Sequence, residues 1–255
     1  MAWSPEQYLK FADHRLRPAV DLLNRVDAAA PGLVYDLGCG AGNVTRLLRA
    51  RWPAARIVGV DSSREMLERA ARSVPDVEWI LADLATWQPE FAADVIYSNA
   101  ALHWLDGHEA LFPRLLAAVA PRGTLAVQMP RNHGAPSHTG MVAAARASPE
   151  RARLEAVLRE SPVRSPEFYW GLLAGAAATL DVWESEYLHA LRGDAPVVQW
   201  TMGTALRPLL DALAEPARGA FLADYERRMA EAYPRREDGA TLFPFRRLFL
   251  VATRA

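Results

Sequence analysis

Residues 36–43 read DLGCGAGN, an acid followed by glycines at 38, 40 and 42. The apolar run LVYDL (33–37) leads in. NVTRLLRAR (43–51), with Val44, Leu47 and Leu48 at helical spacing, leads out. A strand, a glycine-rich turn and a helix in that order bring backbone N–H groups and the positive end of a helix against a ligand. The spacing selects among ligands. A dinucleotide site asks for G-x-G-x-x-G, whose third glycine lies inside the helix, and position 43 is Asn43 instead. The Gly-Lys-Ser/Thr end of a P-loop is missing as well. Asp36 would set a negative charge against a pyrophosphate, but it suits a ligand carrying an ammonium group and a sulfonium. Alone, the turn also fits close packing of a helix on a sheet.

Two further acids stand at comparable places. GVDSS puts Asp61 at the end of a second apolar run, where a carboxylate can accept from both hydroxyls of a ribose. LADLATW puts Asp83 after a third run, positioned to accept from an adenine amino group. Each acid alone is compatible with a solvated loop. Three successive strands that each end in a glycine turn or an acid are harder to attribute to packing, because ligands of open parallel sheets sit beyond the strands' carboxyl ends.

The elements that must position these residues alternate along the first 130 positions. Strands are expected at 33–37, 56–60, 77–81, 94–97 and 123–129, and helices at 43–51, 64–72 and 108–119. One helix between strands implies a mostly parallel sheet covered on both faces. Later come helical stretches near 139–147, 151–160 and 166–178 and a strand-like TLDVWESEYLHAL at 179–191. Residues 195–233 read as mainly helical, with Phe221, Tyr225, Met229 and Ala232 on one face of 216–233, and LFLVA reads as a last buried strand. The division expected is a core over 1–130 and a remainder over 131–255. That remainder holds strands near 179–190 and 243–253 and an inserted helical cap at about 192–238.

Composition narrows the partners. The 255 residues carry 29 Lys and Arg against 30 Asp and Glu, so no basic field is available to neutralise many phosphates, and a nucleic-acid partner is not expected. The start has neither region of a signal peptide, and no apolar run reaches the length of a membrane span, so a soluble, cytoplasmic chain is expected. The single cysteine, Cys39, excludes an intramolecular disulfide and a cysteine-based zinc site. His133, His138, His189 and the other histidines lack ligand spacing and read as surface or loop residues, so no metal is expected.

DLGCGAGN, GVDSS, ADLATW and SNAALHWL resemble the successive motifs of class I S-adenosylmethionine-dependent methyltransferases. That resemblance implies an α/β, Rossmann-like fold: a seven-stranded, mostly parallel sheet with an antiparallel last strand. It implies S-adenosyl-L-methionine as cofactor, with Gly38, Gly40 and Gly42 along its methionine part and Asp36 near the amino group. Asp61 and the adjacent Ser62 fall at the ribose, Asp83 and the Leu84 backbone at the adenine, and the Asn99 backbone carbonyl at the amino group. Trp87 would cover an adenine face or pack in the core.

Longer stretches, including WSPEQYLKFADHRLRPAVDLL, NAALHWLDGHEALFPRL, TALRPLL and RLFLVATR, resemble the trans-aconitate 2-methyltransferase family, whose members esterify one carboxylate of trans-aconitate. The chain departs at Ala41, where proline is usual, around 147–165, and in LFPFRRLF. A carboxylate is ionised near neutral pH, so methylating it requires no general base, and none is assigned. Catalysis then rests on alignment and exclusion of water. A small polycarboxylate needs its other carboxylates held, and guanidinium groups do this bidentately. Arg207 in TALRPLL is the first candidate and Arg131 the next; Arg246 and Arg247 are weaker, since one can pair with acids at a sheet edge. His103 and Trp104, on the acceptor side after the fourth strand, either line the pocket or pack. Tyr8 lies on an N-terminal segment that could act as a lid. A different acid acceptor, a cofactor-binding protein without turnover, and a nicotinamide-dependent reductase are the alternatives.

Overall fold

The computed structural model describes residues 12–255, with side chains from Leu16 onward. Seven strands form one sheet: β1 Leu33–Leu37, β2 Arg56–Asp61, β3 Glu78–Leu81, β4 Ala93–Asn99, β5 Val119–Pro130, β6 Ala177–Leu191 and β7 Thr241–Arg254. Their spatial order is β3-β2-β1-β4-β5-β7-β6. β1 pairs in parallel with β2 and β4, β2 with β3 and β4 with β5, while β7 lies antiparallel beside β5. The parallel pairing agrees with the alternating pattern, and the seven strands with an antiparallel β7 are those that the resemblance to class I methyltransferases implies. The chain reverses order at β1, and the topological switch there leaves a crevice at the strands' carboxyl ends.

The helices are α1 Ala12–Leu23, α2 Asn43–Arg51, α3 Arg64–Ser73, α4 His108–Ala117, α5 Pro136–Ala147, α6 Arg151–Glu155, α7 Pro166–Leu173, α8 Pro196–Met202, α9 Arg207–Asp211 and α10 Ala217–Ala232. The chain divides into two compact units. The larger takes Arg15–Pro130, Pro162–Ser185 and Arg247–Ala255; the smaller takes Arg131–Ser161 and Glu186–Arg246.

In the larger unit strand alternation sorts the side chains. Tyr35, Leu37, Val58, Val60, Ile96, Leu125, Val127 and Leu250 project to one face and join α4 (Leu111, Phe112, Leu115) and α7 (Tyr169, Leu173) in a single core. The opposite face carries Asp36, Tyr97 and Ala126 in one hydrogen-bonded row. On it the Tyr97 hydroxyl donates to the Ala19 carbonyl of α1 at 2.6 Å. Trp87 belongs to the core: it is 7% exposed and meets Tyr35 edge-on at 5.0 Å.

The smaller unit has its own core, with Met141 and Ala145 of α5, Trp200 of α8, and Phe221, Tyr225 and Met229 of α10 around Phe243. Of the α10 face read from spacing, Ala232 is the exception and is exposed. Several boundaries also moved. The helix expected over 108–119 ends at Ala117, because Val119 pairs with Ala93 and opens β5. The helix expected over 166–178 ends at Leu173, and the alanines from Ala177 enter β6, so sheet pairing overrides their helical propensity.

Candidate functional site

The turn after β1 is built from inside the sheet. Gly38 and Cys39 N–H both donate to the Val60 carbonyl of β2, at 2.8 and 3.2 Å. Gly38, Gly40 and Gly42 have φ of 71°, 55° and 80°, the left-handed region that favours glycine. A Cβ on Gly38 would stand 2.1 Å from the Ala101 Cβ, so the loop after β4 packs directly on the turn. A Cβ on Gly40 would meet nothing within 4 Å, which leaves open space over the backbone where a ligand can approach.

Asp36 is 2% exposed and accepts from the Thr45 hydroxyl of α2 at 2.6 Å. Burial raises its pKa from 3.8 to about 7; the Thr45 hydrogen bond opposes the rise and the Asp61 charge adds to it. A buried acid poised near neutrality at the mouth of a glycine turn is stabilised as an anion by a cation delivered beside it. The Cys39 thiol is pushed up by burial, then by the Asp36 and Asp61 charges, so it stays protonated and is no nucleophile.

Asp61 holds the turn to β2. Its Oδ2 accepts from Gly40 N–H at 2.9 Å and its Oδ1 from Ser63 N–H at 2.8 Å. Each carboxylate oxygen retains a lone pair, enough for two ribose hydroxyls. Ser62 is exposed, while Ser63 caps α3 by accepting from Met66 N–H at 3.3 Å. Ala82 N–H donates to the Asp61 carbonyl at 3.0 Å, which leads the chain to the exposed Asp83. Asp83 Oδ1 accepts from Ala85 N–H at 2.9 Å, and Leu84 is buried with its carbonyl accepting from Arg114 at 2.9 Å. Asp36 thus leads into the glycine turn, Asp61 binds that turn directly at Gly40, and Asp83 and Leu84 follow the end of the next strand.

Asn99 ends β4. The segment after it turns through Ala100, at φ 53°, and a short 3-10 helix, Leu102–Trp104. The rings of His103 and Trp104 lie 4.7 Å apart, and Trp104 is 46% exposed. His108 anchors this segment from the core, a role that the sequence reading missed. Its Nε2 is 3.1 Å from the Leu102 carbonyl and its Nδ1 2.6 Å from the Tyr169 hydroxyl. A carbonyl only accepts, so Nε2 carries the proton and Nδ1 accepts from Tyr169. Tyr169 in turn accepts from Arg164 N–H at 3.2 Å.

The remaining candidates lie elsewhere. Tyr8 is outside the described residues. Arg207 and Arg131 belong to the smaller unit. Arg207 opens α9, with its side chain 32% exposed and Nε 3.5 Å from Asp211. Arg131 N–H donates to the Arg246 carbonyl at 3.0 Å, beside buried Asn132, whose Oδ1 accepts from Arg246 N–H at 3.2 Å. Arg246 pairs with an acid, Glu186, at 3.7 Å. The histidines correct the surface reading. His108 and His189 are buried, and His189 stacks on Trp200 at 4.9 Å within the smaller unit's aromatic core. His133 and His138 lie 4.8 Å apart, and burial, with His133 adding to it, lowers His138 to about 4. Among the described residues no cluster of three His, Cys, Asp or Glu could hold a metal ion, and no helix is long and apolar enough to cross a membrane.

Two residues stand out: one that the sequence reading did not single out, and one that it ranked among the weaker clamp candidates. Gln128 on β5 is fully buried with no partner at either side-chain atom. Arg247 on β7 is 4% exposed although it follows the exposed Arg246. An amide inside VQMP was the one available signal for Gln128: a polar residue in an otherwise apolar strand.

The residues present fit the S-adenosyl group: open backbone at Gly40, a buried acid for an ammonium, and two strand-end carboxylates for ribose and adenine. Residues 34–123 match the family model described as a methyltransferase domain. A trans-aconitate 2-methyltransferase of Azoarcus sp. strain BH72 is 48% identical over 99% of both chains. One of Methylobacterium nodulans is 50% identical over 99% of this chain and 98% of its own. Among solved structures, the Haemonchus contortus phosphoethanolamine N-methyltransferase 2 in complex with S-adenosyl-L-methionine shares the fold at TM-score 0.57 and 15% identity, covering 94% of this chain and 53% of its own. The YcgJ protein of Bacillus subtilis shares it at TM-score 0.58 and 15% identity, over 93% and 98%. With near-identical length and about half of its residues in common with these relatives, the chain belongs to the trans-aconitate 2-methyltransferase family.

Proposed function

We infer that the protein is an S-adenosylmethionine-dependent carboxyl O-methyltransferase that forms the monomethyl ester of trans-aconitate. The observation that carries the reaction class is the buried Asp36, raised to about 7 and placed under an open glycine turn, in a chain of this family. S-adenosylmethionine, when bound, supplies a methyl group activated by its sulfonium. The chain's own residues bind and orient. Asp36 meets the ammonium, the turn backbone lies along the methionine part, and Asp61 and Asp83 accept from ribose and adenine. Leu84 and Asn99 contribute their backbones, and Ser62 flanks the ribose.

The acceptor carboxylate is already an anion and requires no proton removed. The reaction disperses opposite charges, so exclusion of water and alignment supply the rate. Arginine is suited to the carboxylates that do not react. Arg207 and Arg131 are proposed for them, and buried Arg247, in the same unit as the glycine turn, joins them. His103 and Trp104 are proposed to wall the acceptor side. The test is S-adenosylhomocysteine release with trans-aconitate, cis-aconitate, isocitrate, citrate and malonate. Trans-aconitate is expected to be turned over with the highest kcat/KM. Equal or better turnover of another acid would overturn the substrate; no release with any acid, with cofactor still bound, would overturn the reaction.

A further inference from the structure

Gln128 is fully buried, and neither Oε1 nor Nε2 has a hydrogen-bond partner. Its pairing neighbour on β4, Asn99, has a buried Oδ1 in the same condition. Directly paired residues project from one face of a sheet. Asn99, Gln128 and Phe249 form one such row. Asp36, Tyr97 and Ala126 form the row before it on the same face, and Pro130 with Arg247 the row after it. The orphaned Gln128 amide and Asn99 Oδ1 therefore stand between the buried acid assigned to the ammonium and a buried arginine, at the carboxyl ends where ligands sit. A buried amide with both ends unsatisfied is costly, and a fold retains one where a ligand completes it.

Resting on the carboxylate-methylation reading above, we propose that Gln128 holds the carboxylate that receives the methyl group, donating from Nε2–H. Its Oε1 accepts from ordered water, and the Asn99 Oδ1 from ordered water or the cofactor's N–H. The chemistry favours a neutral donor at this place. A lone pair of the carboxylate oxygen forms the O–CH3 bond while the S–CH3 bond breaks, and that electron pair stays on sulfur. The oxygen's negative charge falls as the transition state is approached. A guanidinium on the attacking carboxylate stabilises the starting anion more than the transition state and slows the step. A neutral amide aligns it with less loss of nucleophilicity. The other carboxylates keep their charge throughout, and a guanidinium such as that of Arg247 suits them.

The test is Gln128→Met, of similar volume and without an amide. Its kcat/KM for trans-aconitate falls at least thirtyfold, S-adenosylhomocysteine affinity by calorimetry stays within threefold, and the Tm of the ligand-free protein rises. A residue serving structure alone moves stability and activity down together. Gln128→Asn, which keeps an amide but withdraws it by one methylene, retains an intermediate kcat/KM. A kcat/KM within threefold of the parent's, or a lowered Tm in Gln128→Met, overturns the proposal. If the parent turns over another acid and not trans-aconitate, the substrate reading falls and Gln128 stands or falls on the variant's kcat/KM for that acid. If no acid is turned over, both fall.

Discussion

Asp36 offers the sharpest perturbation, because one buried carboxyl links stability, pH and cofactor affinity. Its pKa rises from 3.8 to about 7 in the ligand-free protein, chiefly through burial. At 1.36 kcal/mol per unit, keeping it ionised above neutrality costs about 4 kcal/mol. The folded-state value is the higher one. Between about pH 4 and 7 the folded chain therefore holds a proton that the unfolded chain has released. The carboxyl's contribution is fully present below about pH 4 and is lost as pH rises through 7. Asp36→Asn keeps the shape and the acceptor for the Thr45 hydroxyl but cannot ionise. The ligand-free variant should match the parent near pH 4 and exceed it at pH 8 by up to about 4 kcal/mol in urea titrations. S-adenosylhomocysteine carries the ammonium without the sulfonium, so its calorimetric affinity isolates this partner. In the parent it should tighten by about fifteenfold from pH 5.5 to 7.0, as the carboxyl no longer has to release a proton on binding. In Asp36→Asn it should be weaker at pH 7 and flat with pH. A flat parent profile, or an Asn variant that binds as tightly as the parent, would refute the ammonium partnership.

Four other outcomes follow from the geometry. Gly38→Ala drives a methyl into Ala101 and should cost most of the fold's stability. Gly40→Ala meets open space; it should lower the Tm only slightly, for its positive φ, yet weaken S-adenosylhomocysteine at least tenfold. The reverse order of the two would show that the turn serves packing. Asp61→Ala removes the acceptor for Gly40 and Ser63 and the ribose partner, so calorimetry should show a large loss of affinity; unchanged affinity would undo the ribose assignment. Tyr169→Phe strands the buried His108 Nδ1 and Arg164 N–H at about 1–3 kcal/mol, read by urea denaturation; no change would mean that the chain from Leu102 through His108 to Tyr169 holds nothing. Arg207→Ala and Arg247→Gln should each raise the trans-aconitate KM with cofactor affinity nearly unchanged, by the equivalent of about 2–5 kcal/mol for the buried Arg247 and by less for the partly exposed Arg207. An arginine whose variant moves KM less than threefold is not a clamp.

The glycine turn and the acids around it were legible because their geometry is local in sequence. A glycine turn is set by the φ that each residue must adopt. Asp36 is joined to its turn within nine residues, through Thr45, and Asp61 and Asp83 announce themselves as acids ending apolar runs. The parallel part of the sheet followed too, since near-continuous apolar strands alternating with helices admit few topologies, while the antiparallel β7 was implied by the family resemblance. What the sequence could not decide was which face and which neighbour each residue meets. Arg246 and Arg247 are adjacent and identical, and strand alternation sends one to solvent and Glu186 and the other into the interior. His108 read as a loop histidine because its partner, Tyr169, is 61 positions away. Gln128 falls within the expected strand at 123–129, and only the tertiary structure shows that, in register with Asn99 and Phe249, it is a buried amide without a partner. Backbone conformation follows from nearby residues, whereas burial and hydrogen-bond satisfaction depend on what long-range pairing brings alongside.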